Sequence, residues 1–236
     1  MSIKLSIRKY LGRKLGLPEI PFALERLSDL GFQPQSIFDI GAYRGDFALS
    51  CLHIWQNSKI ACFEALEHKV TQLLHLASHN SSISVFPTLV GAEACDRVPL
   101  YEAETASSIL AEHISQSFPV KFYPMTTVDR VVQEDFYGSS PDLLKLDVQG
   151  YELEVLKGAE KSLPQMQVIL AEVNFLDIHK GVALVAEVIT WLNERDWVAY
   201  DICGLTRRPI DKALWQADLL FVPRNSPLRA DKRWAA

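Results

Sequence analysis

Short apolar runs alternate with longer stretches of helical periodicity along most of this chain. This alternation is typical of a parallel β-sheet whose two faces are both covered by helices. The predicted strands are 36–40, 59–64, 83–90, 143–147, 168–173, 197–203 and 217–222. The predicted helices are 22–30, 45–55, 67–79, 152–163 and 182–195. We therefore expect an α/β fold built around one seven-stranded, mostly parallel sheet with helices on both faces.

The connection between the last two predicted strands contains no helical pattern. Residues 204–216 include Pro209 and are predicted to form a loop. Parallel neighbours in a sheet need a longer crossover, usually a helix, whereas antiparallel neighbours do not. The last strand is therefore expected to run antiparallel to the rest of the sheet.

Composition limits the class of protein. The chain has 236 residues, of which 48% are hydrophobic and 22% charged, as in a soluble globular domain. Its net charge of -5 and the lack of an obvious basic face argue against nucleic acid as a partner. No apolar run approaches the roughly 18 residues of a membrane span. The four scattered cysteines favour a reducing cytoplasm, and oligomeric state stays open.

The chain divides into three predicted parts: a helical segment at 1–35, the α/β domain at 36–223 and a tail at 224–236. Within the domain, residues 91–142 exceed a usual connection and are locally acidic. Long insertions at one end of an open α/β sheet often build the substrate side of a site. We expect that role here, and a decorated surface is the alternative.

Apolar residues near the N-terminus recur every fourth position at Ile3, Ile7, Leu11 and Leu15, among basic residues and without an acid in the first 14 residues. This pattern predicts a short basic amphipathic helix. We expect the helix to lie on the domain with its basic face in solvent. A lid, an arm toward a second copy or a membrane-surface contact are the alternatives.

The first predicted strand runs into a glycine turn that opens a helix, through Asp39, Gly41, Ala42, Tyr43 and Gly45. The glycines allow a sharp turn and a close ligand approach, and the following helix presents free N–H groups. We therefore expect these five residues to bind a cofactor. Asp39 is expected to hold an ammonium group of that cofactor, or else to cap the turn as a buried acid.

The second predicted strand ends at Glu64 and Ala65, where an acid can accept hydrogen bonds from both hydroxyls of a ribose. A dinucleotide site prefers glycine two residues after Gly41, but this chain has Tyr43 there. Its side chain would obstruct a pyrophosphate. S-adenosylmethionine, which has a ribose and an amino-acid tail but no phosphate, is the predicted cofactor.

Four further residues are candidate catalytic groups near the same sheet edge. Asp147 ends the fourth strand, Glu152 lies in the first turn of the next helix, Glu172 lies near the end of the fifth strand and His179 follows it. Each is a candidate base for removing the proton from an acceptor group. A structural role at the positive end of a helix is the alternative for Glu152.

These segments together resemble the FkbM-type methyltransferases. The resemblance rests on residues 39–45, 63–64, 127–129 and above all 145–159, and it spans 36–174. It implies a Rossmann-like class I methyltransferase fold, S-adenosylmethionine as cofactor, and methylation of a hydroxyl group on a sugar, glycan or natural product. The family usually has asparagine at position 43 and glutamate at position 149, where this chain has Tyr43 and Gln149. Gln149 cannot act as a carboxylate base.

Other interpretations stay open. Metal-assisted O-methylation of the catechol type would use the acid after the fourth strand with Glu172 and Asn174. A nicotinamide-dependent oxidoreductase is disfavoured by the missing G-x-G-x-x-G pattern. A methyltransferase-like binding subunit without turnover is the remaining alternative. His68, His75 and His79 share one helix face, and we expect them to be solvated, with no metal site.

Overall fold

The computed structural model describes residues 12–103, 107–113 and 118–234. The described strands are β1 (Ser36–Ile40), β2 (Lys59–Phe63), β3 (Ile83–Phe86), β4 (Leu89–Val90), β5 (Cys95–Tyr101), β6 (Val120–Thr126), β7 (Leu143–Leu146), β8 (Val168–Asn174), β9 (Trp197–Arg207) and β10 (Leu214–Pro223). Seven of them form the main sheet in the order β3-β2-β1-β7-β8-β10-β9. Strand β10 is antiparallel to both of its neighbours, and the four neighbouring pairs from β3 to β8 are parallel. The predicted fold class is confirmed.

Helices cover both faces of this sheet. They are α1 (Ile20–Asp29), α2 (Asp46–Ile54), α3 (Glu67–His79), α4 (Val128–Asp135), α5 (Glu152–Lys157) and α6 (Val185–Asn193). The buried residues Leu24 and Leu73 of α1 and α3 belong to the core on one face. Val132, Leu156 and Leu192 of α4, α5 and α6 belong to the core on the other. Burying each such side chain stabilises the fold by about 1.5–3 kcal/mol.

The predicted strand 83–90 is wrong as a single element. Strand β3 ends at Phe86, and β4 belongs to a separate three-stranded sheet of order β4-β6-β5. The physical reason is Pro87, which has no N–H to donate to a ladder and so interrupts strand pairing. Residues 91–142, predicted as a substrate-side insertion, supply β5, β6 and α4.

The predicted loop 204–216 is also wrong. Most of it is a hairpin, since β9 continues to Arg207, β10 begins at Leu214, and these two residues pair. Only the connection around Pro209 is irregular, and an ion pair of 2.5 Å between Arg208 and Asp211 closes it. The sequence pattern hid the hairpin because its extension beyond the core lacks the apolar alternation of a half-buried strand.

Helix α5 is shorter than the predicted 152–163. It ends at Lys157 because Gly158 packs against the main chain, where an added Cβ would come within 2.0 Å of the Gly91 carbonyl oxygen. The turn that follows is fixed by Asp129, whose carboxylate accepts from the main-chain N–H of Ser162 at 2.9 Å. The 127–129 motif thus joins α4 to the end of α5. Helix α6 likewise begins at Val185 rather than at residue 182.

Most of the predicted N-terminal amphipathic helix, including Ile3, Ile7 and Leu11, lies outside the described residues. Within the predicted segment 1–35, helix α1 packs on the sheet through Leu24 and Leu27. In the ranges that the structure describes, no helix has the length and apolar character needed to cross a membrane.

Candidate active site

A cavity of about 240 Å³ lies at the carboxyl ends of β1, β2 and β7. Ligands of open α/β sheets bind at this edge. The main cavity, as we call it, has Gly41, Tyr43 and Glu64 on one side and Asp147 and Glu172 on the other. It therefore combines the predicted cofactor turn with two of the four predicted catalytic residues.

The wall between these two sides is apolar. It is formed by Leu66, Leu89, Leu100 and Ile109, which pack together with Ala65 next to the three-stranded sheet. An apolar wall beside a carboxylate suits a ligand that has both a flat, weakly polar ring and hydroxyl groups. The sequence analysis did not identify this wall, because its residues come from four separate segments.

The glycine turn is set by packing against β7. Gly41 has a φ of +78°, and a Cβ there would come within 1.9 Å of the Asp147 carbonyl oxygen. Gly45, at a φ of +84°, is the N-cap of α2 and does not line the main cavity. Ala42 is buried, and its N–H donates to the Phe63 carbonyl at 3.0 Å. The glycines thus place the turn, and of the three residues only Gly41 reaches the main cavity.

Tyr43 adopts a left-handed backbone conformation with a φ of 49°. Its ring lies under the ammonium of Lys69, 3.9 Å from the ring centroid. Such cation–π contacts are worth about 0.5–2 kcal/mol, and this one fixes the ring beside the turn. The departure from the family's usual asparagine is thereby accommodated, with Tyr43 still lining the main cavity.

Glu64 is held by the main chain. Its Oε2 accepts from the Tyr43 N–H at 2.9 Å, and its Oε1 accepts from the N–H groups of Ala65 and Leu66 at 2.8 and 2.9 Å. Burial raises the pKa of Glu64, and the three hydrogen bonds oppose that rise. Because a carboxylate has about four acceptor sites, Glu64 retains capacity for a ligand hydroxyl.

Asp39 does not line the main cavity. Its side chain is fully buried, and its Oδ1 lies 3.1 Å from the Lys145 ammonium. Lys145 also donates to the Gly41 carbonyl at 3.0 Å and lies 3.4 Å from Asp147 Oδ2. Asp39 therefore acts on the turn through Lys145. Its position outside the cavity lining does not support the predicted direct contact with a cofactor ammonium.

Lys145 was missed as a site residue, although a signal was present. Strand β7 places Lys145 between leucines, and β1 places Asp39 between apolar residues. These two residues are register partners in adjacent parallel strands. Burial lowers the pKa of Lys145, but the charges of Asp39 and Asp147 raise it by more. A single acid in one buried strand and a single base in another, here Asp39 and Lys145, is the sequence pattern that could have predicted this ion pair.

Asp147 and Glu172 are joined by side-chain amides. Gln149 Nε2 donates to Asp147 Oδ1 and to Glu172 Oε2, both at 2.9 Å. Gln216 Nε2 also donates to Glu172 Oε2, at 2.5 Å. Within the described residues, Glu172 Oε1 receives no hydrogen bond. Glu172 lines the main cavity, and of its two carboxylate oxygens only Oε2 has a hydrogen bond among the described residues. Gln216 is a second residue that the sequence analysis missed.

Glu152 lies away from the main cavity, contrary to its predicted role as a base. It is 2% exposed, and its Oε1 accepts from the N–H groups of Val148 and Gly150 at 3.0 and 3.1 Å. Burial raises the pKa of Glu152 to about 7. The carboxylate closes the turn between β7 and α5, so the structure supports the structural alternative.

His179 and Asn174 are also displaced from the main cavity. His179 is 2% exposed and forms a β-bridge with Glu112, and burial lowers its pKa. Asn174, expected in the metal-assisted layout, is 1% exposed and does not line the main cavity. The structure therefore brings Asp147 and Glu172 together but leaves both of these residues out.

The predicted solvated histidine face is observed. His68, His75 and His79 are exposed on α3, and the His79 ring lies 2.9 Å from the His75 carbonyl oxygen. In residues 12–103, 107–113 and 118–234, no three or more His, Cys, Asp or Glu side chains are grouped as metal ligands.

Comparison with known proteins gives the class and then the family. A family model described as "Methyltransferase FkbM domain" matches residues 39–198. The magnesium protoporphyrin IX methyltransferase of Synechocystis PCC 6803, solved with bound SAM, is 9% identical, with 94% of this chain and 85% of that chain covered and a TM-score of 0.51. The N-methyltransferase NodS of Bradyrhizobium japonicum WM9 is 13% identical, with 86% and 85% covered and a TM-score of 0.48. No curated protein matches the sequence.

The fold is that of a class I methyltransferase. The chain belongs to the FkbM methyltransferase family, because the family match covers most of its length and contains both motif segments. The predicted family and the predicted cofactor, S-adenosylmethionine, are confirmed. The likeness to the Synechocystis structure shows the fold alone.

Proposed function

We propose that this protein transfers the methyl group of S-adenosylmethionine to a hydroxyl oxygen of a sugar, a glycan or a natural product. The observation that carries the proposal is Glu172, which lines the main cavity and whose Oε1 has no hydrogen-bond partner within the described residues. A hydroxyl, unlike most amines, must lose its proton as it accepts a methyl group at neutral pH. A carboxylate at this position can receive that proton.

The residues around the glycine turn suit the cofactor. Glu64 has remaining acceptor capacity for ribose hydroxyls, and the apolar side chains of Leu66 and Leu89 suit the faces of an adenine ring. Gly41 and Tyr43 line the region beside them. When bound, the cofactor supplies a methyl group already activated by a sulfonium, so the protein has only to align the acceptor and take its proton. Such alignment is worth about 7–11 kcal/mol in well-oriented reactions.

Glu172 is a better proton acceptor than Asp147. Both oxygens of Asp147 have partners, since Oδ1 accepts from Gln149 and Oδ2 lies near Lys145. Glu172 Oε1 has no partner in the part of the chain that the structure describes, and burial together with the negative charge of Asp147 raises the pKa of Glu172 well above the ordinary value. A base is most effective when its pKa lies near the working pH. Asp147 then orients the acceptor, and Glu172 removes the proton.

The insertion 91–142 contributes to the same cavity. Leu100 of β5, together with Ser107 and Ile109, lines it opposite the sheet edge. This placement supports the predicted substrate-side role of the insertion. All four cysteines are free, and Cys51, Cys62 and Cys203 are buried, which supports action in a reducing cytoplasm.

The non-catalytic alternative has less support. Tyr43 is packed beside the turn and Gln149 is bonded to both carboxylates, so neither departure from the family obstructs the main cavity. The metal-assisted alternative would need an ion between Asp147 and Glu172, where the Gln149 amide already donates to both. We therefore propose turnover in which a side-chain amide holds the two carboxylates.

A screen with methyl-labelled cofactor tests the proposal. The protein is incubated with hydroxyl, amine and carbon acceptors, and products are identified by mass spectrometry and NMR. We expect label on oxygen, unaffected by a chelator, and slower transfer by the Glu64→Ala variant at a cofactor concentration near the wild-type Kd. Label only on nitrogen or carbon would reject O-methylation, and loss of transfer with the chelator would favour the metal-assisted reaction.

A further inference from the structure

The proposed reaction uses the Gln149 amide only as a link between the two carboxylates and gives Gln216 no role. We propose that they are positioning residues, which hold Glu172 so that its free oxygen faces the acceptor and stays ionised enough to take a proton. This inference rests on the proposed function for its chemistry. The geometric part of the inference depends only on the hydrogen bonds among Gln149, Gln216 and Glu172.

The two amides share one carboxylate oxygen. Gln149 and Gln216 both donate to Glu172 Oε2, at 2.9 and 2.5 Å, and Gln216 Nε2 lies 3.5 Å from Gln149 Oε1. Because Oε2 is held from two elements, the β7–α5 turn and β10, rotation of the carboxylate is restricted. Oε1 is left as the acceptor toward the main cavity.

The backbone around Gln149 is built to place this amide. Gln149 has a φ of 53°, in the left-handed region that is costly for residues with a side chain. The N–H groups before and after it, of Val148 and Gly150, both donate to Glu152, and its carbonyl accepts from Ser108 Oγ at 2.8 Å. Strain maintained by surrounding contacts is frequent at functional sites.

Charge explains why neutral amides are needed there. Four charged groups act on Glu172 from the elements around it: Asp147 and Lys145 of the β7 end, Glu152 of α5 and Asp218 of β10. Burial raises the pKa of Glu172, the three acids raise it further, and Lys145 lowers it. Hydrogen bonds donated to the ionised form lower a pKa. The two amides therefore favour the carboxylate without adding charge.

Gln216 is the cleaner position for a test. Its side chain is 2% exposed on strand β10, so Gln216→Met removes the amide while nearly conserving volume. Gln149→Met is the second variant, from a different element. Gln133→Met, on the exposed face of α4, is the matched control.

Infrared titration of the carboxyl groups measures the effect directly. The Glu172 band is identified as the difference between the wild-type protein and Glu172→Gln. We expect the midpoint of this band to move up by about one pH unit in Gln216→Met and in Gln149→Met, and not in Gln133→Met. An unchanged or lowered midpoint in both amide variants would overturn the proposal.

Kinetic measurements then distinguish an effect of the two amides on Glu172 from a merely structural role. On an acceptor found by the labelled-methyl screen, we expect the acid limb of the kcat/KM profile to move up by the same amount. Transfer is then about tenfold slower below the midpoint and nearly normal on the alkaline plateau. A plateau that falls with no movement of the limb would mean a merely structural role. If no hydroxyl is methylated, the proposed function fails, and the infrared midpoints still decide whether the amides act on Glu172.

Discussion

The two sides of the main cavity hold their carboxylates in different ways. On the cofactor side, Glu64 is held by three main-chain N–H groups that lie within residues 43–66. On the acceptor side, Glu172 is held by side-chain amides of Gln149 and Gln216, which come from different parts of the chain. A carboxylate held by main-chain N–H groups keeps its hydrogen bonds when the surrounding side chains are substituted. A carboxylate held by side-chain amides loses a hydrogen bond when either amide is replaced. The geometry of the cofactor side therefore depends mainly on the backbone, whereas the geometry of the acceptor side depends on the identity of particular side chains.

The largest effect is expected at Lys145, which contacts both sides through Asp39 and Asp147. Replacing it with Met leaves the buried Asp39 carboxylate without its counter-charge, and breaking a buried ion pair typically costs about 3–5 kcal/mol. We expect Lys145→Met to lower the free energy of unfolding by that amount in chemical denaturation. The double variant Lys145→Met with Asp39→Asn is expected to recover much of the loss. No recovery would show that the two residues do not act as a pair.

Gly41 tests whether the cofactor side depends on main-chain packing. In Gly41→Ala the new Cβ meets the Asp147 carbonyl, so overpacking of about 1–3 kcal/mol adds to left-handed strain of about 1–2 kcal/mol. Gly138→Ala is the control, because Gly138 has a φ of +82° but no atom within 4 Å of its added Cβ. We expect a much larger fall in melting temperature for Gly41→Ala. Equal falls would show that strain alone matters at Gly41.

The difference between the two sides also explains what the sequence could predict. The turn at Gly41 and the acid at Glu64 are local motifs, and both were placed at the main cavity. The acceptor side joins residues 147, 149, 172 and 216, whose contacts depend on sheet order, so Gln216 was missed. Glu152 and His179 were predicted as bases from their position after a strand. Position alone cannot tell that one carboxylate would turn toward main-chain N–H groups.

The fold was predicted in outline for a similar reason. Apolar alternation marks the strands and helices that pack on the core. It does not mark the hairpin extension beyond Gly204 or the break at Pro87. The part of β9 beyond Gly204 is mostly exposed and is stabilised mainly by ladder hydrogen bonds rather than by burial.

Glu64→Ala is expected to weaken cofactor binding without altering the acceptor side. Loss of a hydrogen bond to a charged group costs about 1.5–3 kcal/mol, so calorimetry is expected to show a roughly 10- to 150-fold higher Kd. Glu64→Gln, which keeps one acceptor oxygen, is expected to fall between the wild type and Glu64→Ala. An unchanged Kd in folded Glu64→Ala would place the ribose elsewhere.

The smallest effect concerns the pH dependence of stability and comes from Glu152. Its pKa is about 7 in the folded protein against an ordinary 4.5, so the folded state binds the proton more tightly. Stability from this group is therefore present at acid pH and is lost as the pH rises toward 7. Gln at position 152 can still accept both main-chain N–H groups. We expect Glu152→Gln to gain about 2 kcal/mol over the wild type between pH 5 and pH 7, and a constant difference in free energy across that range would contradict this role.

The most direct test of the account compares Glu172→Gln with Glu152→Gln in one single-turnover assay. Both variants replace a buried carboxylate by its amide in the same region, but only Glu172 faces the main cavity. We predict that Glu172→Gln binds S-adenosylmethionine normally and transfers methyl about 10²–10⁴-fold more slowly, while Glu152→Gln transfers at the wild-type rate. Equal rates in Glu172→Gln and the wild type, or a loss confined to Glu152→Gln, would contradict it.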